Sequence, residues 1–240
     1  SPLKEGLLWV GTDDGVIQVS EDAGVTWRKI GPIAGIPDTT FITRALPSAF
    51  DVNTAYATFD NHKAGDYKPY VAKSTDMGRT WSVITNNLPE RGTVYALTED
   101  TKDKNLLFVG TEFGLYVSIS GGKTWTKFKG GLPNIMVRDI TVQKRDDDLV
   151  IASFGRGFYV LDDLSALRSL SNDVTASAAA LLPVRRAPLY IASEPDPNWQ
   201  GARFFNGANP PFGATFTYYL KDAIKTRKEL RQEAEKAAAK

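Results

Sequence analysis

Short runs of β-branched and aromatic residues occupy the first two thirds of this sequence, and glycine, proline, aspartate and asparagine separate them. This pattern predicts strands rather than helices. One group of four predicted strands covers residues 41–46, 53–59, 69–74 and 80–84, and the next covers 94–98, 106–111, 114–118 and 124–128. A third group begins at 138–143, 149–153 and 158–161, whereas residues 7–30 supply only the last three strands of such a group.

Internal repeats follow the same units. The phrase LLWVGTDDGVIQVS at 7–20 returns as LLFVGTEFGLYVS at 106–118 and as LVIASFGRGFYVL at 149–161. A period of about 40–45 residues with several strands per unit is typical of a β-propeller blade. The predicted fold is therefore all-β, a partial propeller of about four four-stranded blades. Because closed propellers usually have about 4–8 blades, another polypeptide or chain segment is expected to complete the ring.

A polar turn that ends in tryptophan occurs three times, as SEDAGVTW at 20–27, STDMGRTW at 74–81 and SISGGKTW at 118–125. Aspartate in such a turn can accept hydrogen bonds from its own backbone, and glycine can adopt a positive φ where the chain reverses. The tryptophan rings can pack between neighbouring blades. A structural role is predicted for Ser20, Asp22, Gly24, Trp27, Ser74, Asp76, Gly78, Trp81, Ser118, Gly122 and Trp125.

The pattern Ser-x-Asp-x-Gly-x-Thr-Trp resembles the Asp-box, or BNR repeat, of sialidase, xyloglucanase and sortilin-like propellers. With VGTEFGLY at 109–116 and FGRGFYVLDD at 154–163, the first 165 or so residues look like the later part of a propeller in secreted bacterial sortilin-like or glycosyl-hydrolase-like BNR-repeat proteins. The resemblance implies a secreted, periplasmic or cell-surface location. It also implies that the boxes lie on the face away from the active site.

Loops on the opposite face are where binding residues are expected. Arginine pairs well with carboxylates, so Arg44, Arg138 and Arg156 are predicted, with His62, to bind an acidic or polar group of a glycan or peptide. The alternative is a sialidase-like or xyloglucanase-like glycoside hydrolase, which usually needs two carboxyl groups about 5–10 Å apart. Its candidate catalytic residues are Asp13, Asp14, Asp60 and Glu112. A binding or scaffold module is the favoured hypothesis.

The composition excludes several further classes of function. A net charge of +1 argues against general affinity for nucleic acid. The sequence has no cysteine and a single histidine, so no metal site and no cofactor are predicted. No apolar run is long enough to span a bilayer and no signal peptide opens the chain, so membrane insertion is not expected.

The sequence changes character after the repeats. Residues 1–165 are predicted to form the partial propeller, and the alanine- and proline-rich range 166–208 an extended linker that wraps it. Residues 209–240 are expected to start a second β domain, with one strand at 209–222 and a charged helix over 223–240. That helix has almost no apolar face and is expected to be solvated.

Overall fold

The computed structural model describes residues 1–187, 189, 191 and 212–238. It divides the chain into two units, Ser1–Arg168 and Ser169–Lys240. The first unit contains four antiparallel sheets, named here blades 1 to 4 in chain order.

Blade 1 consists of β1 (Leu8–Gly11), β2 (Ile17–Ser20) and β3 (Arg28–Lys29). Blade 2 consists of β4 (Phe41–Pro47), β5 (Ala55–Asp60), β6 (Tyr70–Ser74) and β7 (Ser82–Val83). Blade 3 consists of β8 (Val94–Glu99), β9 (Leu107–Thr111), β10 (Gly114–Ser118) and β11 (Thr126–Lys127). Blade 4 consists of β12 (Val137–Gln143), β13 (Asp148–Ser153) and β14 (Phe158–Leu161).

Every strand of a blade pairs with the next strand along the chain, which is the meander of a propeller blade. The prediction of an all-β partial propeller with about four blades is confirmed. Blades 2 and 3 have four strands, whereas blades 1 and 4 have three each within the part of the chain that is described. Blade 1 lacks the counterpart of β4 and β8, as the sequence predicts, and blade 4 lacks the counterpart of β7 and β11.

An apolar core fills each space between consecutive blades. Ile17 and Phe59 belong to the core between blades 1 and 2, Tyr56 and Val109 to the next, and Phe108 and Ile151 to the third. Glycine in the repeated VGT phrase permits this packing, since a Cβ on Gly110 would lie 2.6 Å from Cγ1 of Val137 in the following blade. The inner strand of one blade therefore rests directly on the backbone of the blade before it.

Helix α1 (Ser165–Arg168) closes the first unit with a buried ion pair. The Arg168 guanidinium donates to both carboxylate oxygens of Asp100 at 2.8 Å, and Asp100 is fully buried. Arg168 also lies 3.1 Å from Asp147, which Lys102 contacts at 2.6 Å. The last turn of the unit is thereby fixed to blades 3 and 4.

The second unit contains α2 (Asn172–Ala176), α3 (Arg227–Ala238) and a two-stranded sheet of β15 (Ala179–Leu181) and β16 (Tyr218–Leu220). Helix α3 begins at 227 because Thr226 and Glu229 form a capping box, in which each accepts a hydrogen bond from the other's backbone N–H. None of the residues of α3 is buried, in keeping with its uniformly polar sequence.

The predicted boundaries differ from these units. The first unit ends at residue 168 rather than 165, because Arg168 is anchored by the buried ion pair just described. The range 166–208, predicted to be extended, contains α2 and β15. Residues 188, 190 and 192–208 of the predicted linker, and residues 209–211 and 239–240 of the predicted second domain, lie outside the described residues. The predicted strand at 209–222 is the shorter β16, which pairs with β15.

Candidate functional site

The same irregularity occurs at the start of three inner strands. The pairing register shifts between Ile42 and Arg44 in blade 2, between Val94 and Ala96 in blade 3, and between Val137 and Asp139 in blade 4. Each shift inserts one extra residue, which is a β-bulge, and bulges redirect side chains next to functional sites. The three inserted residues are Thr43, Tyr95 and Arg138.

All three inserted residues border cavities at one end of the blades, where the inner strands begin and the second strands end. The larger cavity, named here the channel mouth, has a volume of about 380 Å³. An adjoining cavity of about 210 Å³ shares Phe41, Asp60, Tyr95 and Arg138 with it and adds Thr43, Arg44 and Asp139. The channel mouth is lined by Phe41, Asp60, His62, Lys63, Tyr95, Met136, Arg138 and Phe154.

Asp60 and His62 form one polar wall of the channel mouth. Asp60 ends β5 and is buried, and a 3₁₀ turn over His62–Ala64 follows it directly. Nδ1 of His62 lies 2.7 and 2.6 Å from the two carboxylate oxygens of Asp60, which also accepts the backbone N–H of His62 at 2.9 Å. The turn therefore fixes the imidazole beside the carboxylate.

Arg138 and Tyr95 form a second part of the lining. The guanidinium carbon of Arg138 lies 4.4 Å from the centre of the Tyr95 ring, which is a cation–π contact. Burial raises the pKa of the Tyr95 hydroxyl, and the negative charges of Asp60 and Glu112 raise it further, while Arg138 opposes them. Tyr95 is thus a neutral phenol that positions a cation at the cavity.

Arg44 is already paired within the adjoining cavity. Its guanidinium contacts the carboxylate of Asp139, which joins the inner strands of blades 2 and 4. Asp139 also accepts the backbone N–H of Ile140 at 2.8 Å. Nε of Arg44 is buried without a hydrogen-bond partner among the described residues, and a buried donor left unpaired is uncommon in folded proteins.

The other predicted site residues are distributed more widely. Arg156 is exposed in the turn between β13 and β14 and is not among the residues that line the two cavities. Asp13 and Asp14 are exposed in the turn of blade 1, where Asp14 accepts the hydroxyl of Thr12. Glu112 directly follows β9 and is equivalent in strand register to Asp60, the last residue of β5. The structure therefore brings Arg44, Arg138, Asp60 and His62 together and leaves Arg156, Asp13 and Asp14 apart.

The predicted Ser–Asp turns lie at the opposite end of the blades. Ser74 pairs with Ala55 at one end of β5, whereas Asp60 stands at the other. Asp76 accepts the Thr80 backbone N–H at 2.8 Å and the Thr80 hydroxyl at 2.6 Å. These bonds hold the pKa of Asp76 at about 2, and the same bonds from Thr26 hold that of Asp22 at about 2.

The serine that opens each turn accepts the backbone N–H of the turn glycine. The distances are 2.7 Å from Gly24 to Ser20, 2.8 Å from Gly78 to Ser74 and 2.9 Å from Gly122 to Ser118. In the third turn Ser120 replaces the aspartate and accepts the Thr124 backbone N–H at 3.0 Å. The third turn therefore keeps its conformation with a neutral acceptor.

Only two of the three turn tryptophans pack against a preceding blade. Trp125 is buried and donates to the Ile84 carbonyl of blade 2 at 2.9 Å. Trp81 meets Trp9 of blade 1 edge to face, with ring centres 6.2 Å apart. Trp27 is 41% exposed, contrary to the prediction that all three rings pack between blades, because the described chain places no blade before blade 1.

Sequence reasoning missed the aromatic part of the channel mouth. Phe41, Tyr95 and Phe154 line it beside Met136, and all four lie in or next to strands whose pattern indicates a core. Aligning the repeats at Ile42, Val94 and Val137 would have placed Tyr95 and Arg138 at one equivalent position. No group of three or more histidine, aspartate and glutamate side chains that could hold a metal occurs among the described residues.

Comparison with known proteins supports the fold. No family model and no curated protein matches this sequence. Solved structures do match: the extracellular domain of BT4673 from B. thetaiotaomicron has a TM-score of 0.51 at 15% identity over 67% of this chain and 20% of its own. An ancestral GH74 enzyme has a TM-score of 0.51 at 12% identity over 67% of this chain and 22% of its own.

The GH74 xyloglucanase from Xanthomonas campestris is similar to the same extent, with a TM-score of 0.50 at 18% identity over 66% of this chain and 26% of its own. This chain therefore spans between a fifth and about a quarter of the length of these proteins. At identities this low, the structural similarity shows a shared propeller-type fold and nothing more. Fold alone does not assign an activity. No described helix has the length and apolar character needed to cross a membrane.

Proposed function

We propose that this chain is a propeller-type binding module whose channel mouth takes an anionic group of a glycan or peptide. The observation that carries the proposal is the position of Arg138, which stacks on Tyr95 at 4.4 Å over an aromatic-lined cavity. Cavities of several hundred Å³ with mainly apolar walls and a few fixed polar groups are typical ligand sites.

The charges at the channel mouth favour an anion. Asp60 is the one acid among the described residues of the lining and is contacted by Nδ1 of His62, whereas Arg44 of the adjoining cavity is paired with Asp139. Lys63 and Arg138 remain as cations of the lining without a carboxylate contact among the described residues. Arginine offers parallel N–H donors that match a carboxylate, so a carboxylate is the group that fits best.

A glycoside hydrolase is the second candidate, and two observations bear on it. Two of the similar structures are GH74 proteins, and Glu112 is equivalent in strand register to Asp60, which lines the channel mouth. Asp60, however, is held by His62 on both oxygens. Hydrolysis needs one carboxyl group to exchange a proton with the substrate, and this pairing makes binding the better-supported function.

We further propose that another polypeptide segment covers the free face of blade 1. We also propose that the protein acts outside the cytoplasm. Leu8, Val10 and Trp27 are each about 40% exposed on that blade. In blades 2 and 3 the corresponding tryptophan packs on the preceding blade. The extracellular location of the BT4673 domain supports the proposed secreted, periplasmic or cell-surface setting.

A binding screen tests the proposal. Wild-type protein, Arg138→Ala and the control Arg145→Ala are applied to arrays of peptides and glycans that exist as free carboxylates and as methyl esters. Arg145 is a matched control because it is an exposed arginine of the same unit, paired with Asp146. We expect wild type and Arg145→Ala to retain carboxylates and Arg138→Ala to lose them. Equal retention by Arg138→Ala would contradict the site, and release of sugar products would favour the hydrolase.

A further inference from the structure

The inner edge of blade 1 carries backbone groups without a partner. In blades 2 and 3 an inner strand pairs with the second strand, whereas β1 pairs only with β2 among the described residues. The Thr12 N–H donates to the Val16 carbonyl at 3.1 Å, so every second residue before Thr12 also bonds to β2. The N–H and C=O groups of Trp9 and Gly11 therefore point away from β2, and no described residue is bonded to them.

Blade 3 has the same edge with its strand in place. A Cβ on Gly11 would overlap the side chain of Ile42 in the following blade. A Cβ on Gly110 of β9 would overlap Val137 of its own following blade in the same way. Strand β1 is therefore the counterpart of β9, and the strand that would cover its edge is the counterpart of β8.

The two edges also end alike. In blade 3 the carbonyl of Leu106 accepts the N–H of Asp100, the residue after β8, at 2.9 Å. In blade 1 the carbonyl of Leu7 accepts the amino group of Ser1 at 2.8 Å. Ser1 thus holds the place of Asp100, and the open part of the edge lies beyond it, along residues 8–11.

A cavity of about 360 Å³ borders this open edge, and we call it the blade 1 notch. It lies between β1 and the inner strand of blade 2 and is lined by Trp9, Val10, Gly11 and residues 42–45. Nε1 of Trp9 and Nε of Arg44 are both buried without a partner among the described residues, which is uncommon in folded proteins. Phe108, the counterpart of Trp9 in β9, is fully buried, whereas Trp9 is half-buried.

These features fit a β-strand as the occupant. A row of unpaired backbone N–H and C=O groups is a template for another strand. Strand addition takes its affinity from main-chain hydrogen bonds and its specificity from alternate side chains. In blade 3 the residue opposite Gly110 is the fully buried Ala96, so a small residue is expected opposite Gly11.

We propose that an extended strand of a partner polypeptide adds antiparallel to β1 in the blade 1 notch, in the position that β8 holds beside β9. This inference rests on the proposed covering of blade 1 by another polypeptide segment, and it specifies how that segment binds. The backbone of the added strand would pair with Trp9 and Gly11.

A peptide that copies β8 tests this inference on the full chain. The probe is a capped, fluorescently labelled octapeptide of residues 92–99, GTVYALTE, which stops short of the place held by Ser1. Fluorescence anisotropy measures its affinity, and hydrogen exchange measures the protection of residues 8–12. We expect saturable binding and amide exchange slowed about tenfold at Trp9 and Gly11.

N-methylated peptides show whether backbone pairing carries the binding. Because the Asp100 N–H bonds to β9, those of Thr98 and Ala96 face β9 as well, whereas that of Leu97 faces away. Methylation at the positions of Ala96 and Thr98 should weaken binding at least about tenfold. Methylation at the position of Leu97 is the matched control and should change the affinity by less than about threefold.

Three results would overturn the inference. The first is no saturable binding up to about 1 mM peptide, and the second is an equal loss of affinity with both methylated peptides. The third is binding that methylation at Ala96 and Thr98 leaves intact. That result would place the segment on the face of blade 1 rather than at its edge, so the proposed covering would stand while the added strand would not.

A parallel titration separates this inference from anion binding at the channel mouth. Arg138 does not line the blade 1 notch, so Arg138→Ala should bind the peptide as wild type does, and loss of the peptide by this variant would contradict the notch. N-acetylglutamate reports on the channel mouth in the same samples. Peptide binding without carboxylate binding would support the added strand and contradict the channel mouth, and the reverse would contradict the added strand alone.

Discussion

The buried pair between Arg168 and Asp100 provides the sharpest stability prediction. Replacing Arg168 by leucine leaves the fully buried Asp100 carboxylate without its two 2.8 Å donors from the guanidinium. Breaking a buried pair from one side costs about 3–5 kcal/mol. Two backbone donors remain, Lys102 N–H at 3.0 Å and Asp103 N–H at 2.9 Å, so we expect a loss near the lower figure.

The effect has a defined pH dependence. Burial on its own would raise the pKa of Asp100, but the hydrogen bonds from Arg168 and from the backbone of Lys102 and Asp103 outweigh it and lower that pKa. A depressed pKa in the folded state stabilises the protein above the unfolded value, about pH 4, and this contribution is lost as pH falls through the folded value. The difference in free energy of unfolding between wild type and Arg168→Leu should therefore be largest at pH 7 and become smaller below about pH 4.

Urea unfolding followed by tryptophan fluorescence measures both the loss in free energy of unfolding and its dependence on pH. Arg145→Leu is the control, since its side chain is 83% exposed and its pair with Asp146 should contribute less than about 1 kcal/mol. The double change Asp100→Asn with Arg168→Leu should recover part of the loss because it removes the unpaired buried charge. A free energy of unfolding for Arg168→Leu within about 0.5 kcal/mol of wild type at pH 7 would show that the buried pair does not stabilise the fold.

Three further predictions concern the turns, the blade contacts and the free faces. Asp76→Ala should lower the melting temperature and leave binding at the channel mouth unchanged, because Asp76 loses its bonds to Thr80 at the far end of the blade; a normal melt with lost binding would contradict this. Gly110→Ala should destabilise by about 1–3 kcal/mol, since its Cβ would lie 2.6 Å from Val137, while Gly31→Ala, with open space around it, should not. Expressed alone, the chain should self-associate in sedimentation through its open strand edges, and a monodisperse monomer would count against the proposed covering segment.

The repeats predict the fold well because each blade is a local unit. Every strand pairs with its sequence neighbour, so alternation and turn residues suffice to place β4 to β14. Contacts between distant residues are a different matter: Asp100 and Arg168 are 68 positions apart, and neither lies in a motif. The fourth strands are also shorter than predicted: β7 spans only Ser82–Val83, whereas the sequence pattern predicts a strand at 80–84.

The candidate site was only partly predictable for the same reason. Arg44 and Arg138 could be predicted because inner strands start near the propeller axis, and both line the adjoining cavity. The alternation of β8 alone does not indicate Tyr95, because it does not reveal the bulge beside which the Tyr95 ring contacts Arg138; only an alignment of the repeats brings the two residues to one position. The sequence pattern predicts that Arg156 lies with Arg44 and Arg138, whereas the structure places it in an exposed turn.

The proposed function rests on Arg138, which we propose binds a carboxylate at the channel mouth. Arginine side-chain NMR measures this directly, by titrating the protein with glucuronate, with N-acetylglutamate and with the methyl ester of each. We predict that the Nε–Hε signal of Arg138 shifts saturably with a free carboxylate and not with its ester, while that of Arg145 stays in place. An unmoved Arg138 signal, or equal movement of the Arg138 and Arg145 signals, would contradict the account.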